Sequence, residues 1–255
     1  MTSRALSFGE VAECYDRFRL GYPAAVADLV LGYAAPPVTL ALEVGAGTGK
    51  ATRLFAGRGL EIIAAEPDAA MLAVLERHTR ELSVTPVRAR FEQLTLVEPV
   101  DLLYAAAAWH WTDPALRWTQ AAALLRSGGT FASFGSGGTV RTLLADPALQ
   151  EAVDEAKRGL MTEPPFTSEE RGPNGLFWPA SELAERLDFT DVEEYDIARQ
   201  VERSQEEFLG QISTMSAYLQ LSGTDRAEVL RRIGAALPPT VRVRSDLRVH
   251  LARRA

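Results

Sequence analysis

The segment Ala41-Leu42-Glu43-Val44-Gly45-Ala46-Gly47-Thr48-Gly49-Lys50 constrains the fold more than any other stretch of the chain. It reads as a buried strand that carries an acid near its end and runs into three alternating glycines. Glycine adopts backbone angles closed to other residues and has no side chain to hold a ligand away. A strand that enters such a turn and leaves as a helix forms a nucleotide-sized cradle. The spacing narrows the choice of nucleotide. A phosphate-binding P-loop needs Gly, four residues, then Gly-Lys-Ser/Thr. Here the first of those positions is Val44, and Ala51 follows Lys50. The dinucleotide fingerprint needs its third glycine three places after the second. Gly49 lies two places on, and Lys50 holds the expected slot.

From residue 40 onward, strand-like and helix-like stretches alternate. Residues 40–44, 61–66, 83–89, 100–107 and 130–134 read as strands, and 48–56, 69–80 and 113–126 as helices. Asp68 suits the N-cap of the second helix, and Pro114 suits the first position of the third. Gly57 and Gly59 suit a left-handed helix end. Alternation at this spacing implies α/β architecture, a mostly parallel sheet with helices on both faces. The rhythm breaks over 136–180, where Gly135 to Gly138, Pro147, Pro164-Pro165 and Pro173 fall. A helix at 181–187 and a strand at 192–201 resume the core. Ser204 and Glu207 then form a capping box ahead of helices at about 205–220 and 224–236. A last strand, expected antiparallel, covers 241–253.

The 255 residues suffice for one substantial core with a subdomain. No apolar run reaches the roughly 18 residues of a membrane span, and the N-terminus has no apolar signal region, so a cytoplasmic protein is expected. The single cysteine, Cys14, excludes an internal disulfide, and the three histidines stand far apart, so no metal site is expected. A net charge of -7 disfavours non-specific nucleic-acid binding. The seven arginines between Arg231 and Arg254 read as a solvated face.

Five separated segments carry a resemblance. They are the Glu-x-Gly-x-Gly-x-Gly bend; Glu66-Pro67-Asp68; Arg90-Phe91-Glu92; Trp109-His110-Trp111; and Tyr15-Asp16-Arg17-Phe18-Arg19-Leu20-Gly21-Tyr22-Pro23. Together they resemble class I S-adenosylmethionine-dependent methyltransferases, most closely the bacterial small-molecule branch of the type 11 kind. The resemblance implies a Rossmann-like seven-stranded sheet of order 3-2-1-4-5-7-6, with a helical cap. It implies one domain: a core of about 30–135, 181–203 and 240–255, a cap of about 136–180 and 204–238, and an N-terminal lid of about 8–24. The cofactor would be S-adenosylmethionine, lying across the carboxyl ends of strands 1 and 2.

The resemblance also implies roles. Gly45, Ala46, Gly47 and Gly49 would admit the cofactor's methionine part and sugar, with Glu43 beside its ammonium. Glu66, with Pro67 after it, would take the ribose hydroxyls. Met71 would pack on adenine. Arg90 stands where many relatives have an aspartate, so Phe91 and Glu92 would serve the adenine instead. Ala106 would let the backbone approach the sulfonium, and Trp109 and Trp111 would wall the methyl-transfer space. Tyr15, Arg19 and Tyr22 would fold over the cofactor. His110 is the candidate base, since a histidine can take a proton near neutral pH. Phe166, Trp178, Met215 and Tyr218, with Phe177, would line an acceptor pocket under the cap. The expected reaction is in-line methyl transfer to a small organic acceptor, by a monomer or homodimer. A non-catalytic binding protein on the same fold and a nicotinamide-dependent oxidoreductase are the alternatives.

Overall fold

The computed structural model describes residues 11–34, 37–136, 143–161 and 171–255. The N-terminal helices are α1 (Ala12–Phe18) and α2 (Ala24–Tyr33). The alternating region follows as β1 (Leu40–Val44), α3 (Lys50–Ala56), β2 (Glu61–Ala65), α4 (Ala69–Thr79), β3 (Val84–Val87), β4 (Val100–Ala106), α5 (Arg117–Leu124) and β5 (Leu125–Ser136). Then come α6 (Pro147–Lys157), α7 (Ala180–Leu183), β6 (Phe189–Ile197), β7 (Gln200–Ser204) and α8 (Gln205–Ser213). The chain closes with α9 (Ser216–Leu219), α10 (Gly223–Ala236), β8 (Thr240–Arg244) and β9 (Leu247–Arg254).

Seven strands form one sheet in the order β3-β2-β1-β4-β5-β9-β6. Numbered by entry into that sheet, this is the expected order 3-2-1-4-5-7-6. The first five strands are parallel, and β9 runs antiparallel to both β5 and β6. Side chains alternate across a strand, so each strand feeds both faces. Ala41, Leu102, Tyr104, Ala132 and Phe134 join one core with α2, Phe55 of α3 and Leu75 of α4. Leu42, Val44, Leu103, Ala105 and Phe131 join the other with Trp118 of α5 and Leu183 of α7. Burial on both faces explains why these strands read as near-continuous apolar runs.

The cap has a separate core of Leu144, Val153, Phe208, Ile212, Val229, Ile233, Val241 and Val243. Its strands correct two expectations. Residues 192–201 and 241–253 are not single strands. Each is cut in two, and the inner pieces β7 and β8 pair as a two-stranded ribbon that packs into the cap. The cuts are pinned to each other: Arg199 N donates to Asp246 Oδ1 at 2.8 Å, and Ser245 N donates to Arg199 O at 2.8 Å. The apolar alternation skips one place at each cut, at Arg199 and at Ser245, and resumes in phase at Val201 and Leu247, so it reads as one strand with a single polar substitution. The ribbon therefore lies inside ranges read as core but belongs with the cap.

Smaller differences have local causes. The third helix starts only at Arg117, because Asp113 turns back to accept from Ala115 N at 2.8 Å. The 181–187 helix shortens to Ala180–Leu183. Gly128-Gly129 lies within β5 beside a register shift against β4. The Asp68 cap and the Ser204–Glu207 capping box form as the local rules require.

Candidate functional site

At the carboxyl end of β1 the chain bends sharply. Gly45 N and Ala46 N both donate to Ala65 O, at 2.9 and 3.0 Å. Gly45, Gly47 and Gly49 have φ of 67°, 57° and 83°, a region that favours glycine. Their surroundings differ. A Cβ on Gly45 would meet the Ala108 Cβ at 2.6 Å, and one on Gly49 would meet Leu75 Cγ at 3.1 Å. A Cβ on Gly47 would meet nothing within 4 Å. Gly45 and Gly49 thus lack side chains so that the protein can pack, whereas Gly47 faces open space. The structure assigns Gly49 to the N-cap of α3.

Glu66 braces this bend. Its Oε2 accepts from Gly47 N and its Oε1 from Asp68 N, both at 2.8 Å. Asp68 in turn accepts from Ala70 N and Met71 N to start α4. Each carboxylate oxygen can take a second donor, so Glu66 retains capacity for two hydroxyls. Burial raises its pKa to about 7 against the pull of the two backbone donors.

A cavity of about 120 Å³ lies against the bend. Its walls are Tyr15, Arg19 and Tyr22 of the N-terminal segment, Glu43, Gly45, Ala46 and Gly47 of the bend, Ala106 at the end of β4, and Gln211, Ser245 and Leu247. Glu43 is buried, and its Oε2 accepts from Thr52 Oγ1 at 2.6 Å and Tyr104 OH at 2.9 Å. Burial lifts its pKa to about 8, although both hydroxyl donors favour the ionised form. Tyr22 packs edge-on to Phe134 at 5.1 Å, and burial pushes its hydroxyl pKa up. A shallower groove of about 640 Å³ runs between α2 and β6, but it has no glycine bend. Volume alone does not select the site.

The lid helix α1 is held from both sides. Lys50 Nζ donates to Asp16 O at 2.6 Å, and Arg53 pairs with the Asp16 carboxylate at 3.2 Å. Burial opposes ionisation of Asp16, but Thr48, Lys50 and Arg53 hold its pKa below the usual range. On the cap side, Arg19 Nε donates to Thr214 Oγ1 at 2.9 Å and Arg203 donates to Phe18 O at 3.1 Å. A Cβ on Gly210 of α8 would meet the Phe18 ring at 2.4 Å, so the absence of a side chain there lets the lid seat.

Several expected site residues stand elsewhere. Trp109 and Phe91 are core residues, 1% and 2% exposed. Their rings lie 5.3 Å apart, and Trp109 also packs on Phe131 and Trp118. The 3-10 turn Trp109–Trp111 folds Trp109 inward, so it does not wall the cavity. Met71 is buried with Ala12 and Val74, and Tyr15 packs on that cluster. Glu92 accepts from Asp113 N at 2.8 Å, bracing a loop. His110 is exposed and stacks beside Trp111 at 4.6 Å; neither lines the cavity, and nor does Pro67.

Among the described residues, the side chains expected to line an acceptor pocket lie apart. Trp178 packs under the sheet with the Arg117 guanidinium 5.1 Å from its ring, and Phe177 lies against Arg248. Tyr218 and Met215 belong to the cap core. Phe166 lies outside the described residues. Conversely, the sequence reading missed Gln211, Ser245 and Leu247. One signal for Gln211 was available: it sits on the inward stripe Phe208, Gln211, Ile212, a polar residue on an apolar face. Among the described residues no group of three or more His, Cys, Asp or Glu is placed to hold a metal, and no helix is long and apolar enough to cross a membrane.

Residues 42–133 match the family model of a methyltransferase domain. An uncharacterized methyltransferase of Mycobacterium bovis is 38% identical over 126 residues, covering 49% of this chain and 50% of that protein. The chain thus spans about half the length of the curated relatives it matches. The solved structure of a protein described as a type II methyltransferase from Anaeromyxobacter dehalogenans is 27% identical, with a TM-score of 0.64. That match covers 92% of this chain and 97% of the other. A methyltransferase from Thiobacillus denitrificans, solved with S-adenosyl-L-homocysteine, shares the fold at 16% identity and a TM-score of 0.54, over 96% and 97% of the two chains.

Proposed function

We propose that the chain is a class I S-adenosylmethionine-dependent methyltransferase of the type 11 kind, and that it transfers a methyl group to a small organic acceptor. The observation that carries the reading is the open face of Gly47, backed by Glu66 and facing a cavity that also holds Glu43. These residues fit the cofactor. Gly47 admits close backbone approach, Glu43 offers a carboxyl to an ammonium, and Glu66 has lone pairs for the ribose. Bound there, the cofactor supplies a methyl on a sulfonium, open to in-line displacement.

The cavity is smaller than the roughly 300–1,000 Å³ of typical ligand pockets, so it suits the amino-acid half. Ala12 and Tyr15 cover Met71, the residue read as an adenine contact. Full occupation therefore requires α1 to shift.

The protein's own contribution is alignment and exclusion of water. Holding reactants at near-attack distance can supply about 7–11 kcal/mol. Lid and cap close the cavity from two sides.

Calorimetric titration with S-adenosylmethionine and with NAD tests the reading. Binding of the first and not the second is expected, and the reverse would overturn it. Release of S-adenosylhomocysteine across a panel of metabolites separates a catalyst from a binder. No release with any acceptor, despite tight cofactor binding, would favour the binding protein.

A further inference from the structure

One polar group in the cavity wall is left unexplained by the bend, the acid and the lid. Gln211, near the end of α8, is 8% exposed and lines the cavity, and its side-chain Oε1 is buried with no hydrogen-bond partner among the described residues. A buried acceptor left unpaired is destabilising, and such groups in native structures call for an explanation. The position is well held. Phe208 and Ile212, on the same helical stripe, are fully buried in the cap core. Thr214 Oγ1 donates to the Gln211 backbone oxygen at 2.7 Å and itself accepts from Arg19 of the lid. The turn that carries Gln211 is thus tied to the cap on one side and to the lid on the other.

Glu43 lines the same cavity. Glu43 and Gln211, a carboxyl and an amide side chain, therefore both line an enclosure of amino-acid size. An ammonium presents three donors and no acceptor, which matches that pair. A carboxylate, which brings acceptors and no donor, would leave both unpaired, and a single hydroxyl brings one donor for the two.

We propose that Gln211 hydrogen-bonds the ammonium of the cofactor's amino-acid end, acting from the cap as a positioning residue for S-adenosylmethionine. The assignment rests on the cavity being the cofactor site. It gives α8 a part in holding the cofactor as well as in seating the lid. It also gives the Arg19–Thr214 link a purpose, since seating the lid fixes the turn from which Gln211 projects.

Binding measurements test this without turnover. S-adenosylhomocysteine carries the ammonium; 5′-methylthioadenosine carries the adenosyl group and lacks it. Gln211→Met should weaken S-adenosylhomocysteine about tenfold, in the range of a hydrogen bond to a charged group, and leave 5′-methylthioadenosine unchanged. The unliganded variant should melt at or above the wild-type temperature, because it loses an unpaired buried oxygen. Gln211→Glu, which keeps an acceptor in place, should bind S-adenosylhomocysteine at least as tightly as wild type. Wild-type affinity in Gln211→Met overturns the proposal, and so does equal weakening for both compounds. Should Gln211→Met fail to fold, weaker binding by Gln211→Glu overturns it. Failure of the wild-type protein to bind either compound would instead remove the cofactor reading beneath it.

Discussion

The sheet around the glycine bend and the helical cap solve the same packing problem with different materials. The bend stands on parallel strands buried on both faces, and its backbone is fixed by bonds from Gly45, Ala46 and Gly47 to the neighbouring strand and to Glu66. The cap is a small cluster of helices and a two-stranded ribbon around a core of its own. The two regions meet at the cavity, through Gln211 on one side and Gly47 on the other. The family match covers residues 42–133, on the sheet side. The stretch that the family model matches thus lies in the sheet, and the cap core lies outside it.

The sharpest way to break this contrast is at Gly47. A valine there is forced into a left-handed conformation, which costs roughly 1–2 kcal/mol in strain, and its side chain enters the space the ligand needs. The fold should survive, and binding of S-adenosylhomocysteine should fall by about 100-fold or more, since the occluding atoms stand where the ligand's backbone contact forms. Calorimetry checks the affinity and circular dichroism the fold. Retained affinity would mean that the bend is not the cradle.

A change in the cap core should have the opposite signature. Ile233 is fully buried on α10 and does not line the cavity. Truncation to alanine should destabilise by about 2–5 kcal/mol, seen in thermal or urea unfolding, with affinity for S-adenosylhomocysteine within about twofold of wild type. An affinity that falls in step with stability would show that cap and bend open as one unit.

Glu43 offers a test within the bend itself. Its folded pKa of about 8 lies above an ordinary glutamate's 4.5. The sign follows from which state holds the proton more tightly. The folded protein does, so the stability contributed by protonated Glu43 is complete below about 4.5 and is lost as pH rises through about 8. Ligand binding runs the other way. An ammonium favours the carboxylate, so affinity for S-adenosylhomocysteine should climb with pH toward 8, by up to about tenfold per unit. Glu66, raised to about 7, titrates in the same range, and Arg53, Tyr104 and Tyr22 also act on the site. Glu43→Gln isolates its share: the slope should flatten, and stability above pH 8 should rise. An unchanged slope would remove Glu43 from the ammonium site.

How much of this could be read from the chain follows the same division. The central parallel strands β1 and β4 were visible because burial on both faces demands apolar runs. The Asp68 cap and the Ser204–Glu207 box were visible because capping is a local rule. The ribbon was hidden, since its alternation resumes in the same phase after one polar residue, Arg199 or Ser245, at each cut. Phe91 and Trp109 were misplaced because an aromatic ring that packs in a core and one that walls a ligand have the same composition and spacing. Only the three-dimensional path of the Trp109–Trp111 turn separates them. Gln211 was passed over because a polar residue on an apolar stripe gains meaning only when the space opposite it is known.

The smallest expected effect probes the join between the two regions. Ser204 Oγ accepts from Glu207 N at 3.1 Å, and Glu207 Oε2 accepts from Ser204 N at 2.9 Å. Ser204→Ala removes one arm of this reciprocal cap and should cost about 1 kcal/mol of stability. The cap sits at the start of α8, and Gln211 lies near its other end, anchored independently by Phe208, Ile212 and the Thr214–Arg19 link. Loosening the first turn should therefore leave the last one in place. Thermal unfolding should register the loss while the affinity for S-adenosylhomocysteine stays at its wild-type value. Weakened binding in this variant would mean that the whole helix, rather than its lid-bound turn, sets the position of the glutamine.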